Sequence, residues 1–222
     1  KEELPEMARA YGHAVNLARE AGFDAVEIHA GHGYLISQFL SPYTNRRKDC
    51  FGGSLENRMH FMDMVMQEVM KAAGTDMAVL VKVNMRDGFR GGMEMDETMQ
   101  VAKRLEQSGA HALVLSGGFV SKAPMYVMRG QMPIHSMTHY MNCWWLKYGV
   151  RMVGKWMIPT VPFKEAYFLE DALKFRAEIK MPLVYVGGLV SREKIDEVLN
   201  DGFEAVQMAR ALLNEPGFVN RM

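Results

Sequence analysis

The chain has 222 residues, 49% of them hydrophobic, with 26 basic side chains balancing 26 acidic ones. That length suffices for one buried core, and the zero net charge argues against a nucleic-acid or acidic-surface partner. No run of about 18 apolar residues reads as a membrane span, and no basic-then-apolar leader reads as a signal peptide.

The elements follow in chain order. Lys1 leads directly into a helical pattern over Pro5–Ala21, where Met7, Ala10, Tyr11, Ala14, Leu17 and Ala18 share one face. A short strand follows near 24–29, then the loop His29-Ala-Gly-His32-Gly-Tyr34. Ser54 reads as the N-cap of a helix running through Met70, with Met62, Met66 and Met70 as flexible core filler. A strand over 78–84, a helix over Asp96–Ser108 and a strand over 112–116 come next. The connection from Gly118 to Pro182 is too long for one βα unit. Residues 119–162 read as an insertion, a lid or a packed rim, and Phe163–Lys180 as helix. A strand near 182–187, a helix over Ser191–Asn200 and a strand near 205–209 complete the set. Two cysteines, Cys50 and Cys143, are too few for a disulfide scaffold and point to a reducing cytoplasm. Lys1 and Met222 both look like cut ends rather than natural ones.

Three segments repeat one pattern: Gly22-Phe-Asp-Ala-Val-Glu-Ile28, Gly109-Ala-His-Ala-Leu-Val-Leu115 and Gly202-Phe-Glu-Ala-Val-Gln-Met208. Each follows an amphipathic helix, and glycine is the expected helix stop. Helix and strand alternate, so the fold class is α/β with a parallel sheet. The strand ends carry unusual content: His29, Asn84, Ser116-Gly-Gly118, Gly187-Gly188 and Ala209-Arg210. Functional groups at the carboxyl ends of strands suit both a TIM barrel and a doubly wound sheet.

Strand alternation turns Glu27, His29, Lys82 and Asn84 to one face, and Val26, Ile28, Val81 and Val83 to the other. An ion pair between Lys82 and Glu27 fits that placement. Gly187-Gly188, the cap Ser191 and Ala209-Arg210 read as a phosphate cradle with an arginine clamp. Arg210 as a plain surface arginine is the bland alternative. His29, His32 and Tyr34 are the side chains that donate hydrogen bonds and protons near neutral pH, with glycines that let a ligand approach. The bland readings are satisfied loop histidines or a metal pair. A metal needs a further ligand, and the spacing to Asp49 matches no zinc pattern.

The stretch EIHAGHGYLISQFLSPYTNRRKDCFGGSLENR resembles the signature of the Old Yellow Enzyme family, running in register through Asn45, Arg47, Asp49, Gly52, Gly53, Ser54, Asn57 and Arg58. The resemblance implies a TIM (β/α)8 barrel of which this chain carries strands four to eight, with 119–162 inserted after strand six. It implies FMN as cofactor, NAD(P)H as reductant and a small α,β-unsaturated carbonyl compound as substrate. His29 and His32 would hold the carbonyl oxygen, and Tyr34 would protonate the α-carbon. Lys82 stands where the family usually has an arginine beside the flavin; it keeps the charge but loses the fork. Gly187, Gly188, Ala209 and Arg210 would bind the FMN phosphate. Asn45, Arg47, Asp49, Gly52 and Gly53 read as scaffold. Some bacterial relatives add an iron–sulfur cluster on cysteines downstream of the region this chain covers. Two rivals remain at this point: a phosphate-binding barrel isomerase or lyase without flavin, and a half-barrel that binds no cofactor. The sequence leaves oligomerisation open.

Overall fold

Pro5 sits in the first turn of α1 (Leu4–Glu20), where a missing backbone N–H costs nothing. The computed structural model describes residues 1–130, 133–157 and 160–222. Helix α1 buries Leu4, Ala8, Gly12 and Val15. It lies so close to α3 (Leu55–Ala73) that a Cβ at Gly12 would stand 3.0 Å from the Glu68 carbonyl oxygen. Ser54 caps α3 by accepting from the Asn57 amide at 3.3 Å. The stripe Phe61, Met62, Val65, Met66 and Val69 then turns inward at helical spacing. Burying side chains of this size stabilises by about 1.5–3 kcal/mol each.

Between them run β1 (Ala25–Ala30) and the short α2 (Leu35–Leu40). Next come β2 (Ala78–Asn84), α4 (Met95–Gln107) and β3 (Ala112–Ser116). The described residues of 119–162 hold three helices: α5 (Pro124–Met128), α6 (Ile134–Met137) and α7 (Trp144–Met157). The chain continues through α8 (Leu169–Glu178), β4 (Leu183–Val186), α9 (Arg192–Asn200), β5 (Ala205–Gln207) and α10 (Arg210–Asn214). The run read as helix from Phe163 narrows to α8. Ala166 takes a left-handed φ of 51°, which interrupts helical geometry, and the Phe168 amide is drawn to the Tyr185 hydroxyl at 3.1 Å.

All five strands are parallel, in the order β1-β2-β3-β4-β5. The register pairs His29 with Lys82 and Asn84 with Ser116. Alternation divides the sheet as its sequence predicts. Ile28, Val81, Val83, Leu113, Leu115, Leu183 and Tyr185 pack under the helices. Ala112, Val114 and Val184 form a second, smaller cluster on the opposite face, with Leu80 and Val186 against it. Glu27 of β1 and Gln207 of β5 belong to the first and last strands, yet their side chains meet at 2.5 Å. The sheet therefore curls until its two edges face each other across the inner surface.

Candidate active site

The loop leaving β1 is fixed by its neighbours. A Cβ at Gly31 would stand 2.7 Å from Asn84 Oδ1, and one at Gly33 would stand 2.4 Å from the Phe119 ring. His32 itself takes a left-handed φ of 59°. Its amide donates to Asn84 Oδ1 at 2.9 Å, and its carbonyl accepts from the Val120 amide at 3.0 Å. Asn84 donates onward to the Gly118 carbonyl at 2.8 Å and to Asp87 Oδ1 at 3.0 Å. This buried amide thus ties the loop after β1 to the loops after β2 and β3.

Three rings gather on that platform. The His29 ring lies 5.0 Å from His32 and 4.9 Å from Tyr34, centroid to centroid. His32 Nε2 is hydrogen-bonded to Ser116 Oγ at 2.7 Å. His29 Nδ1 is buried and has no hydrogen-bond partner among the described residues, whereas the Tyr34 side chain stands exposed. Burial, with the His29 and Lys82 charges adding, pushes His32 down to about 4. Burial first and Lys82 second also lower His29, and Glu27 opposes both shifts. Both imidazoles are therefore neutral at pH 7, each with one N–H to donate and one nitrogen to accept. Beneath them Lys82 Nζ pairs with Glu27 at 2.6 Å. The Gln207 amide holds the other oxygen of that carboxylate.

A cavity of about 480 Å³ opens over this face. It brings together His32, Lys82, Gly187, Gly188, Ala209 and Arg210. His29 and Tyr34 are not among its lining residues: His29 reaches it through its ring contact with His32, and Tyr34 only through His29. Gly188 has φ 70°, and a Cβ there would stand 2.6 Å from the Tyr167 ring. The cradle differs from its sequence reading in one respect. The amides of Val190 and Ser191 both donate to Glu165 Oε1 at 2.7 Å, so a carboxylate of the chain already fills the α9 N-terminus. Gly187-Gly188 and Ala209-Arg210 are what remains open. Arg210 donates to the carbonyls of Met128 and Val127, which ties the insertion to this end of the cavity.

The scaffold residues close the loop before α3. Asn45 donates to the Phe39 carbonyl at 2.6 Å and the Phe51 carbonyl at 2.7 Å. Arg47 pairs with Asp49 at 2.5 Å, which occupies that carboxylate away from the histidines. Ser116 and Gln207 were missed as site residues although strand alternation places both inward. Tyr167 and Glu165 lay in the run misread as helix and gave no signal.

The model of the NADH:flavin oxidoreductase / NADH oxidase family matches residues 1–152. The chain belongs to this family. Within it, the 4,4'-dithiodibutanoate disulfide reductase of Rhodococcus erythropolis is 39% identical over 220 residues, covering 99% of this chain and 54% of that protein. The NADH oxidase of Thermoanaerobacter brockii is 38% identical over 215 residues, 96% of this chain and 28% of that protein. The chain thus spans about half the length of one of these relatives and about a quarter of the other. Among solved structures, 2-naphthoyl-CoA reductase superposes with a TM-score of 0.74 at 22% identity, covering 97% of this chain and 28% of that one. The Old Yellow Enzyme homologue from Zymomonas mobilis gives 0.68 at 23%, covering 100% and 52%. These likenesses establish the α/β fold with its parallel sheet. For a flavin oxidoreductase chain the cavity has a fitting size, since cofactor pockets span about 300–1,000 Å³. The orphaned His29 Nδ1 beside it is a polar atom in want of a partner. No helix of the described residues is long and apolar enough to cross a membrane.

Proposed function

We propose that the chain is the catalytic part of an FMN-dependent enzyme that uses NAD(P)H to reduce the activated C=C bond of α,β-unsaturated carbonyl compounds. The observation that carries this reading is the cluster of two neutral imidazoles and a phenol at the end of β1, beside a cavity floored by Lys82. Bound FMN supplies the hydride. His29 and His32 hold the carbonyl oxygen by N–H donation; being neutral, they polarise the carbonyl without surrendering a proton. Ser116 orients the His32 ring. Tyr34 gives the α-carbon its proton. Lys82, its ammonium paired with Glu27, would hold the cofactor's pyrimidine edge. Gly187, Gly188, Ala209 and Arg210 would take the phosphate end.

In the same reading the five strands are barrel strands four to eight, and residues 119–162 form a lid after strand six. The enzyme works in the cytoplasm, and an iron–sulfur cluster belongs, if anywhere, to sequence beyond this chain. A second reading is favoured by the Rhodococcus relative: two electrons and two protons delivered to a disulfide, giving two thiols. Assaying the full-length FMN enzyme with 2-cyclohexenone and with a dicarboxylate disulfide separates the two. Faster NAD(P)H oxidation with the enone supports the first reading. Turnover of the disulfide alone supports the second.

A further inference from the structure

Helix α7 turns its apolar side outward. Gly154 is buried against α6, where a Cβ would stand 3.0 Å from Ile134 Cδ1. Arg151 Nε donates to the Thr138 hydroxyl at 2.9 Å, and that buried hydroxyl donates to the Ile134 carbonyl at 2.7 Å. Lys147 Nζ donates to the His139 carbonyl at 3.2 Å. These contacts fix which side of α7 meets the protein. At about 100° per residue, Trp145, Met152 and Trp156 fall opposite Gly154. They are 64%, 76% and 91% exposed, and Tyr148 beside them is 62% exposed. An amphipathic helix ordinarily buries such a stripe. The chain's three tryptophans, Trp144, Trp145 and Trp156, all lie in this one helix.

Chain-wide neutrality conceals a local excess of positive charge. From Phe119 to Lys164 the sequence holds Lys122, Arg129, Lys147, Arg151, Lys155 and Lys164 and no acidic residue. Lys147 and Arg151 flank the apolar stripe, and their partners are a carbonyl and a hydroxyl, which leave both charges uncompensated. Exposed Trp and Tyr beside cations suit a lipid headgroup layer. The ring bodies enter the acyl boundary, the indole N–H and phenol stay among the headgroups, and the cations meet lipid phosphates. At 14 residues the helix is about 21 Å long. That is too short to cross a hydrocarbon core of roughly 30 Å, so it would lie in the plane of the surface. Apposing the same face of a second copy would set cations against cations.

We propose that the outward face of α7 docks the protein on the surface of an anionic phospholipid bilayer. Trp145, Tyr148, Met152 and Trp156 are the inserted groups, and Lys147 and Arg151 supply the charge beside them. This docking is independent of the reaction assigned to the cavity.

Co-sedimentation of the full-length protein with vesicles tests this, using phosphatidylcholine alone and phosphatidylcholine mixed with phosphatidylserine. The protein should pellet with the mixed vesicles, with its tryptophan emission shifted to the blue. It should stay in the supernatant with phosphatidylcholine alone, and added salt should release it from the mixed vesicles. Trp156→Ser, at so exposed a position, should leave the melting midpoint unmoved. It should weaken vesicle partitioning by about 10- to 100-fold, the weight of one large apolar side chain returned to water. Lys147→Gln should weaken it by about five-fold on the mixed vesicles, and Lys147→Arg should keep it. Binding to neither vesicle, as expected if sequence outside this chain covers α7, overturns the proposal. So does equal binding to both, or binding that Trp156→Ser and Lys147→Gln leave intact. A dimer in sedimentation velocity that Trp156→Ser dissociates would assign the face to a second copy and overturn it as well.

Discussion

His32 couples the chemistry of the site to the stability of the fold. Its pKa falls to about 4 by burial and by the neighbouring His29 and Lys82, against about 6.5 in an unfolded chain. Between those two values the unfolded state takes up a proton that the folded state refuses. This contribution is therefore complete above about pH 6.5 and is lost as pH falls toward about 4. Urea midpoints at pH 7 and pH 5 should show the parent losing stability on acidification, and His32→Gln should lose less. An equal loss in both would remove His32 as the responsible group. Tyr34 tests the chemistry itself. In the FMN-loaded enzyme, Tyr34→Phe should slow alkene reduction by about 10²–10⁴-fold while flavin reduction by NAD(P)H stays near the parent rate. Stopped-flow traces of the two half-reactions decide; equal slowing of both would refute the proton-donor role. At this scale the sequence was informative where chemistry is sparse and distinctive: two histidines, a tyrosine and glycines in a short loop. The lysine at position 82 was placed inward by period-two alternation alone, and the ion pair with Glu27 followed. Glu165 was not legible, because its bonds to the Val190 and Ser191 amides form only after folding.

The loop after β1 is a device of interlocking backbone. Gly33 has φ 83°, and a Cβ there would enter the Phe119 ring. Gly33→Ala should therefore destabilise by about 1–3 kcal/mol, by overpacking and by left-handed strain. It should also weaken phenolic-ligand binding more than Gly53→Ala. Gly53 has φ 84°, but its Cβ would meet nothing within 4 Å. Thermal melts together with ligand titrations check this; matched behaviour of the two variants would contradict the packing argument. The strands and the helices that cover them were legible because their faces alternate or recur at fixed spacing, and the glycine stops repeat. The misread run before α8 shows the limit. Nothing local at Ala166 announces a left-handed residue; it is imposed by the Ala166 amide bonding the Gly188 carbonyl and by the Tyr185 hydroxyl beyond it. Helices α5 to α7 escaped for a related reason. They follow β3 in a connection too long for one βα unit, and that length marked the region as an insertion without resolving its helices.

For the molecule as a whole, the governing fact is a parallel sheet with two edges. Strands β1 and β5 each have one neighbour among the described residues, and the Glu27–Gln207 contact bridges them. Unpaired edges invite pairing with other chains. The 222-residue chain on its own should therefore be poorly soluble and bind FMN weakly or not at all. Joined to the upstream half of such a barrel, it should become a yellow protein. Flavin content after purification of the two forms is the check, and a soluble monomer carrying stoichiometric FMN without that half would contradict the strand count. The α/β class and strand positions could be read from repeats and periodicity, but choosing between a barrel and an open sheet needed the family resemblance. No local pattern encodes closure, which depends on accumulated twist and on side chains from opposite edges meeting.

As proposed above, the His29–His32–Tyr34 cluster serves flavin-borne reduction of an activated C=C bond. An anaerobic titration of the full-length enzyme tests it most directly. NAD(P)H should bleach the flavin absorbance. Addition of 2-cyclohexenone should then restore it in parent enzyme, with cyclohexanone formed mole for mole, and restore it far more slowly in Tyr34→Phe. Flavin that bleaches but is not reoxidised by any unsaturated carbonyl compound, or a Tyr34→Phe variant reoxidised as fast as the parent, would contradict the account.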